Sequence, residues 1–440
     1  MSFEVQIEKL VYGGDALAHH EGKPVFVSQA LPGERLEAEP TRTVKGILHA
    51  RPVRLLTASA ERVDPPCPYF GSCGGCQYQH LAAPSQTARK VEILRETLLR
   101  VGKISWPGEI TAHGGPAWGY RNQAQFKLAR GEDRKWSLGF FAALSHHIVP
   151  VEACHIISPT LGIVLRELQT WLRESFSGGN GTGLDGCHEI GLIADHADEN
   201  VMVTLRGEFD SGNHQSLADA LFNALPQAKT VAIQCKPAGR NFQTFGEPFM
   251  NYRAGDFTYR IGPGSFFQTS RFLIAALVEA VTRAADPPGC GDRQGQRRLA
   301  LDLYAGVGLF ALPLAREYEQ VAAVESTSSS AADLAANARQ GQPGRIRAVH
   351  QPAFDFLRRF AQAAPDLAIV DPPRAGVGLP TLRLLAALRP RRIHYVSCHP
   401  PTLARDLAFL LGASYRIESV HMFDFFPHTF HIESLVTLAR

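Results

Sequence analysis

The stretch YVSCHPPTLARD, Tyr395 to Asp406, holds a thiol at the end of an apolar run, followed after one histidine by two prolines. A cysteine so placed is either an inert buried thiol, the commoner fate of free cysteine, or a nucleophile presented at the end of a strand. Three carboxylates stand in comparable settings. Asp371 opens DPPRAG after the apolar LAIV, Glu325 closes VAAVE, and Glu433 lies in FPHTFHIESLV between histidines and an apolar run. In that last context a glutamate gains basicity if it is buried and is a solvated strand end if it is not. DLYAGVGLF, Asp302 to Phe310, carries a Gly-x-Gly turn. Such a turn lets the backbone approach a ligand beside a helix N-terminus, although it also serves plain packing. Glu325 follows it by about 20 residues, the spacing at which a carboxylate accepts hydrogen bonds from a ribose diol.

DPPRAG admits two further readings: a turn stabilised by Asp and Pro, or the Asp-Pro-Pro-aromatic pattern of enzymes that methylate exocyclic amines. Arg374 stands where the aromatic belongs, which counts against the second. Of eight cysteines, Cys67, Cys73, Cys76 and the distant Cys154 form C-x5-C-x2-C…C. Four thiolates spaced by Gly and Pro can wrap a [4Fe-4S] cluster. A four-cysteine zinc site competes but commonly shows paired C-x2-C elements, and one is present here. A radical enzyme needs a tighter triplet. Cys187, Cys235 and Cys290 read as ordinary thiols, and no structural disulfide is expected in a chain of this kind.

These residues need elements to hold them. The chain has 440 residues, 45% hydrophobic, enough for two or three domains. Its net charge of +3 permits a nucleic-acid partner through a local basic patch without requiring one. MSFEVQIEKL is not a secretory leader, and no uncharged stretch approaches the ~20 apolar residues of a membrane span. A cytoplasmic protein with no membrane partner is expected, and a monomer. Residues 4 to 58 read as short strands punctuated by Gly13-Gly14, Pro32-Gly33 and Gly46, which a small barrel closes. After the cysteine-rich loop, Ile93, Leu94, Leu98 and Val101 fall at helical spacing, on a helix with a basic wet side. Residues 118 to 256 mix strands and helices, with GNGTGLDG an exposed loop. From Leu299, strands alternate with helical patterns, predicting a parallel sheet wrapped by helices. Its ligand belongs at the carboxyl ends of the strands, where Asp302, Glu325, Asp371 and Cys398 fall.

With CPYFGSCGGCQYQH, GPGSFFQTS, DLYAGVGLF, DPPRAG, YVSCHPPTLARD and FPHTFHIES together, nearly the whole chain resembles the RNA uracil-C5 methyltransferases. The resemblance implies a multidomain α/β protein: a TRAM- or OB-like barrel over 1–58, a central α+β iron-sulfur and RNA-binding domain over 59–256, and a Rossmann-like class I methyltransferase domain over 257–440. It makes Cys398 the nucleophile and Glu433 the proton acceptor. Gln268, Tyr304, Glu325 and Asp371 would line the S-adenosylmethionine site, and Cys67, Cys73, Cys76 and Cys154 would hold a [4Fe-4S] cluster. The barrel and the cysteines resemble the branch acting on 23S ribosomal RNA, with transfer RNA, or a catalytically inactive RNA-binding protein, as alternatives. Three positions depart from the family pattern: His399 replaces an asparagine, Leu309 a polar residue that can contact the cofactor, and Pro352 an acidic or amide residue. Uracil C5 is a poor nucleophile, so thiolate addition at C6 followed by removal of the C5 proton suits these residue types. A stacked base must also leave its stack to be reached. The aromatic and basic residues of WGYRNQAQFK and the pair Phe266-Phe267 are read either as stacking and clamping groups or as core.

Overall fold

The computed structural model describes residues 2–131, 135–177, 183–209, 214–234, 242–283, 297–341, 343–360 and 364–440. Cys235, Cys290 and positions 179–182 of the GNGTGLDG loop lie outside the described residues. The strands Phe3–Leu10, Ala16–His20, Lys23–Val27, Arg35–Val44 and Ile47–Thr57 close into a barrel. Val5 and Ile7 point inward at the period of two that a half-buried strand requires. A bulge between Ile7 and Lys9 then breaks the alternation, so that Leu10 and not Lys9 enters the core. The central unit is a seven-stranded sheet built from residues 123–246, packed on the helices Pro159–Ser177 and Gln215–Ala224.

The third unit is an eight-stranded sheet. Ile346–His350, Tyr318–Glu325, Arg297–Leu303, Leu367–Val370 and Arg392–Ser397 run parallel in that spatial order. The sheet is not parallel throughout, as the alternating texture predicts. Glu433–Ala439 pairs antiparallel with both Arg392–Ser397 and Arg416–Phe423. Between Arg416–Phe423 and Glu433–Ala439 the loop 424–432 is shorter than the dozen or so residues a parallel crossover needs, so the chain must reverse. An antiparallel strand begins where its parallel neighbours end. Ser434 accordingly pairs with Ser397, which places Glu433 beside Cys398.

The last strand of this sheet, Ile110–His113, comes from the stretch assigned to the central domain and pairs parallel with Arg416–Phe423. The preceding helix, Ala83–Gly102, buries Ile93, Leu94 and Leu98 as their spacing predicts, but Val101 is 51% exposed at its last turn. The helix packs so closely on Pro400–Gly412 that a Cβ on Gly102 would lie 2.7 Å from the Ala404 carbonyl. Residues 83–113 thus belong to the C-terminal sheet. Their helix also grips the loop that leads to Glu433. The Lys90 ammonium is fully buried, donating to Asp424 Oδ1 at 2.7 Å and to the Phe426 carbonyl at 2.8 Å. Gln86 accepts from the His428 amide at 2.6 Å. One hydrophobic cluster runs from the barrel interior to one face of the C-terminal sheet, and the opposite face carries a second. Barrel, helix and sheet therefore share a core.

A buried ion pair loses far more when one partner is removed than when both are replaced, because the survivor stays charged without water. Lys90→Met is expected to lower stability by ~3–5 kcal/mol, and Lys90→Met with Asp424→Leu by clearly less. Urea unfolding followed by tryptophan fluorescence checks this; equal losses in the two variants would contradict it.

Candidate active site

Six residues singled out in the sequence, Gln268, Tyr304, Glu325, Asp371, Cys398 and Glu433, line one cavity of 720 Å³. That volume lies within the ~300–1,000 Å³ of small-molecule sites. It sits at the carboxyl ends of the parallel strands, where the strand-to-helix turns leave backbone amides uncommitted.

The floor is built by the glycine turn. After Arg297–Leu303 the chain turns through Tyr304 (φ +66°), Gly306 (φ +55°) and Gly308 (φ +93°) before the helix Ala311–Glu317. A Cβ on Gly306 would meet nothing within 4 Å, so this residue opens onto the cavity, whereas one on Gly308 would strike Leu334 at 2.9 Å. The first glycine serves the ligand and the second serves packing. Glu325 is fixed by two amides: Gly306 N donates to Oε2 at 2.9 Å and Thr327 N to Oε1 at 2.5 Å. Each oxygen retains a lone pair for a diol. Asp302, beneath the turn, is fully buried with neither oxygen hydrogen-bonded. Burial, then the charge of Asp371, hold its carboxyl well above the usual range. Leu309 lines the cavity and accepts a hydrogen bond from Tyr259 Oη on its carbonyl. Pro352 precedes the helix Ala353–Arg359 and lies outside the cavity lining.

The reactive end gathers acids in a dry place. Glu433 is 3% exposed. Burial and the nearby Asp371 raise its proton affinity well above that of an ordinary glutamate. Asp371 keeps part of its surface on the cavity, yet loss of water pushes it up to about 7. The Cys398 thiol is pushed up to about 12, first by burial and then by Glu433 and Asp371, while Arg374 pulls it down. Arg374, absent from the amine-directed pattern, is thus the cation that favours thiolate here. His399, where the resemblance leads one to expect asparagine, caps the helix Pro400–Gly412: its Nδ1 accepts from Thr402 N at 3.3 Å. With a cation in the cavity all three acids would ionise more readily.

Sequence patterns left several residues unread. Tyr12, from the barrel, meets His399 edge-on at 5.3 Å and Phe430 at 5.6 Å, so the barrel reaches the nucleophile's turn. His431 and Arg121 line the cavity; the arginine lay in a stretch already marked as basic and aromatic, the histidine in FPHTFHIES. Most aromatics of WGYRNQAQFK are not free to stack on a ligand. Tyr120 and Phe126 are core, and Trp118 lies on His428 at 3.8 Å, because the segment is pinned between the central sheet and the 424–431 loop. Of the tandem phenylalanines, Phe267 is 3% exposed and Phe266 63%, since successive residues of extended chain face opposite ways.

Cys67, Cys73, Cys76 and Cys154 line a second cavity, of 370 Å³. All four are free thiols. Burial raises Cys73 and Cys154, and pushes Cys76 up to about 12, each further raised by charge on the other cysteines. Among the described residues, no three Cys, His, Asp or Glu groups draw together as a site for a metal ion. The cysteines surround a space and do not converge on a point.

A family model described as tRNA (Uracil-5-)-methyltransferase matches residues 247–440, and a TRAM domain model matches residues 2–53. The 23S rRNA (uracil(1939)-C(5))-methyltransferase RlmD of Thiobacillus denitrificans is 32% identical, over 99% of this chain and 99% of its own length. Its counterpart from Halomonas elongata is 33% identical, over 99% of this chain and 89% of its own. Among solved structures, Pyrococcus abyssi tRNA (uracil-54, C5)-methyltransferase in complex with S-adenosyl-L-homocysteine superposes with a TM-score of 0.74 at 24% identity, covering 99% of this chain and all of that one. That likeness establishes the fold.

A thiol with a pKa of about 12 is ionised to about one part in ten thousand at pH 8. Iodoacetamide is expected to label Cys398 slowly, with a rate still climbing at pH 10, and faster when a positively charged S-adenosylmethionine analogue such as sinefungin fills the cavity. Peptide mass spectrometry reads the rates; a plateau below pH 9 in the free protein would contradict the charge balance described.

Proposed function

Because the chain belongs to the RNA (uracil-5-)-methyltransferase family, we propose that it methylates C5 of a uridine in 23S ribosomal RNA through a covalent adduct between Cys398 and uracil C6. It is an S-adenosylmethionine-dependent RNA methyltransferase. The observation that carries the mechanism is the meeting of Cys398, Glu433 and Asp371 in one cavity with the Gly306–Glu325 cradle. Gln268, Tyr304, Glu325 and Asp371 would hold the methyl donor, whose sulfonium supplies both an electrophilic methyl group and the cation that ionises its neighbours.

Cys398 Sγ, as thiolate, bonds to C6, and the C5–C6 electron pair moves onto the C4 carbonyl oxygen. C5 then takes the methyl group, and the pair of the broken S–C bond stays on the departing thioether. Glu433 accepts the C5 proton. The electrons of that C–H bond restore the C5–C6 double bond as the Cys398 bond to C6 breaks. A carboxylate of raised proton affinity is a stronger base, which suits the removal of a carbon-bound proton.

Ribosomal rather than transfer RNA is favoured because full-length relatives at about 30% identity carry the ribosomal name. The cysteine-lined cavity is read as the seat of a [4Fe-4S] cluster, since four thiols around a space suit a polynuclear group better than one ion. We read the protein as cytoplasmic and monomeric, with barrel, central and methyltransferase domains as in the sequence except that residues 83–113 join the C-terminal sheet; among the described residues no helix is long and apolar enough to cross a membrane.

The two catalytic variants should fail differently. Cys398→Ala is expected to bind RNA and methyl donor without forming adduct or product. Glu433→Gln should accumulate a methyl-labelled protein–RNA adduct, which denaturing gels resolve. Adduct from the cysteine variant, or normal turnover by the glutamine variant, would overturn the roles. Mapping 5-methyluridine in ribosomal and transfer RNA from a deletion strain decides the substrate.

Anaerobically isolated protein is expected to be brown, with about four irons per chain, and Cys154→Ser to lose the colour. Stoichiometric zinc without iron would reject the cluster.

A further inference from the structure

Arg121 lines both the cavity of Cys398 and the cavity of the four cysteines, together with Gly75, Phe266 and Thr269. Its Nε is buried with no hydrogen-bond partner, and no ion pair forms with its guanidinium among the described residues. The side chain is half-buried, and a buried N–H left without an acceptor is costly, so such donors persist where a ligand completes them. Its charge reaches Cys154 on one side and His431 on the other, favouring thiolate in the first and neutral imidazole in the second.

The backbone under this side chain is held firmly. Arg121 N donates to the Ile156 carbonyl at 2.9 Å, and its own carbonyl accepts from Ser158 N at 2.8 Å. Its neighbours lace the segment to the one bearing Phe266 and Gln268. Asn122 Nδ2 donates to the Gln268 carbonyl at 3.1 Å, and Gln123 Nε2 to the Phe267 carbonyl at 2.8 Å. The arginine is therefore fixed beside Phe266, the exposed aromatic at the mouth. Arg374, not Arg121, is the cation acting on Cys398. Arg121 thus stands apart from the reacting atoms, on the central-domain wall, while the ribose cradle belongs to the C-terminal sheet.

We propose that Arg121 is a phosphate clamp: its guanidinium binds a phosphodiester oxygen of the RNA strand next to the target uridine, with Phe266 alongside to meet an unstacked base. A planar fork of donors suits a phosphate, which takes two parallel hydrogen bonds from it. An RNA whose base enters the Cys398 cavity must carry its own backbone past this wall, and aromatic and cationic groups in alternation are what single-stranded RNA requires. The inference rests on RNA as the substrate.

Filter binding and methylation kinetics with a 23S ribosomal RNA fragment spanning uracil 1939, and with a transfer RNA transcript as a second probe, test it. Arg121→Ala is expected to raise the Kd and KM for the modified RNA at least about tenfold and to reduce the slope of log K against log salt by about 0.7–1, the loss of one phosphate contact. Arg121→Lys should restore the slope but only part of the affinity, since it keeps the charge and loses the fork. S-adenosyl-L-homocysteine affinity by calorimetry should change less than twofold, and iron content should match the parent. A parallel loss of S-adenosyl-L-homocysteine binding would reassign the arginine to the donor's carboxylate. Loss of iron in both variants would reassign it to the cysteine cavity, and unchanged RNA affinity and salt slope would also overturn the clamp. Methylation by the unaltered protein tests the reading of the substrate separately, because the clamp is read only in the difference between parent and variants.

Discussion

The pairing of Glu433–Ala439 antiparallel to Arg392–Ser397 is the constraint on which the reactive centre depends. Cys398 follows the end of one strand and Glu433 begins the other, so the Ser397–Ser434 register fixes a thiol and a carboxylate side by side. A slip of one residue would turn Glu433 to the opposite face of the sheet. That register is secured from outside. The buried Lys90–Asp424 pair and the Gln86–His428 bonds hold the 424–431 loop against the helix Ala83–Gly102, and the cysteine-bearing segment adds amides of Gln77 and Tyr78 on the His428 carbonyl. Three stretches far apart in the chain thus converge on the few residues that deliver the base.

The same packing that secures the register creates an electrostatic difficulty. Asp302, Asp371, Glu433 and Cys398 lie close together with little water; Asp371 raises the proton affinity of the other three, and Glu433 that of the thiol. Without a ligand the centre is a set of acids whose protons are held more tightly than usual. Arg374 offsets part of this at the thiol, and a sulfonium would supply the remainder only when the methyl donor is in place.

The cavity is a joint product of the units. The C-terminal sheet supplies the thiol, the base and the ribose cradle; the central unit supplies Arg121; and the segment 264–269 between them supplies Phe266 and Gln268. The barrel adds Tyr12 against His399 and shares its hydrophobic core with one face of the sheet. A barrel tied in this way is held at a set distance from Cys398.

Local chemistry was legible in the amino-acid sequence by itself. The Gly306–Gly308 turn, the acid at the end of VAAVE, the proline turn after Asp371 and the cysteine closing an apolar run each follow from residue type and a spacing of a few positions, and each lines the cavity. Period-two and period-3.6 patterns likewise located the barrel strands and the helix that buries Ile93, Leu94 and Leu98. What tertiary structure decided was everything that depends on through-space partners. The reversal that brings Glu433 to Cys398, the recruitment of Ile110–His113 to the distant sheet, and the burial of Tyr120 while Phe266 stays open are set by which surfaces meet. Periodicity records that a residue faces one side of its own element, but not what lies on that side. Arg121 illustrates the limit: in sequence it is one cation among 45, and only the fold sets it between two cavities with its Nε buried and, among the described residues, unpartnered.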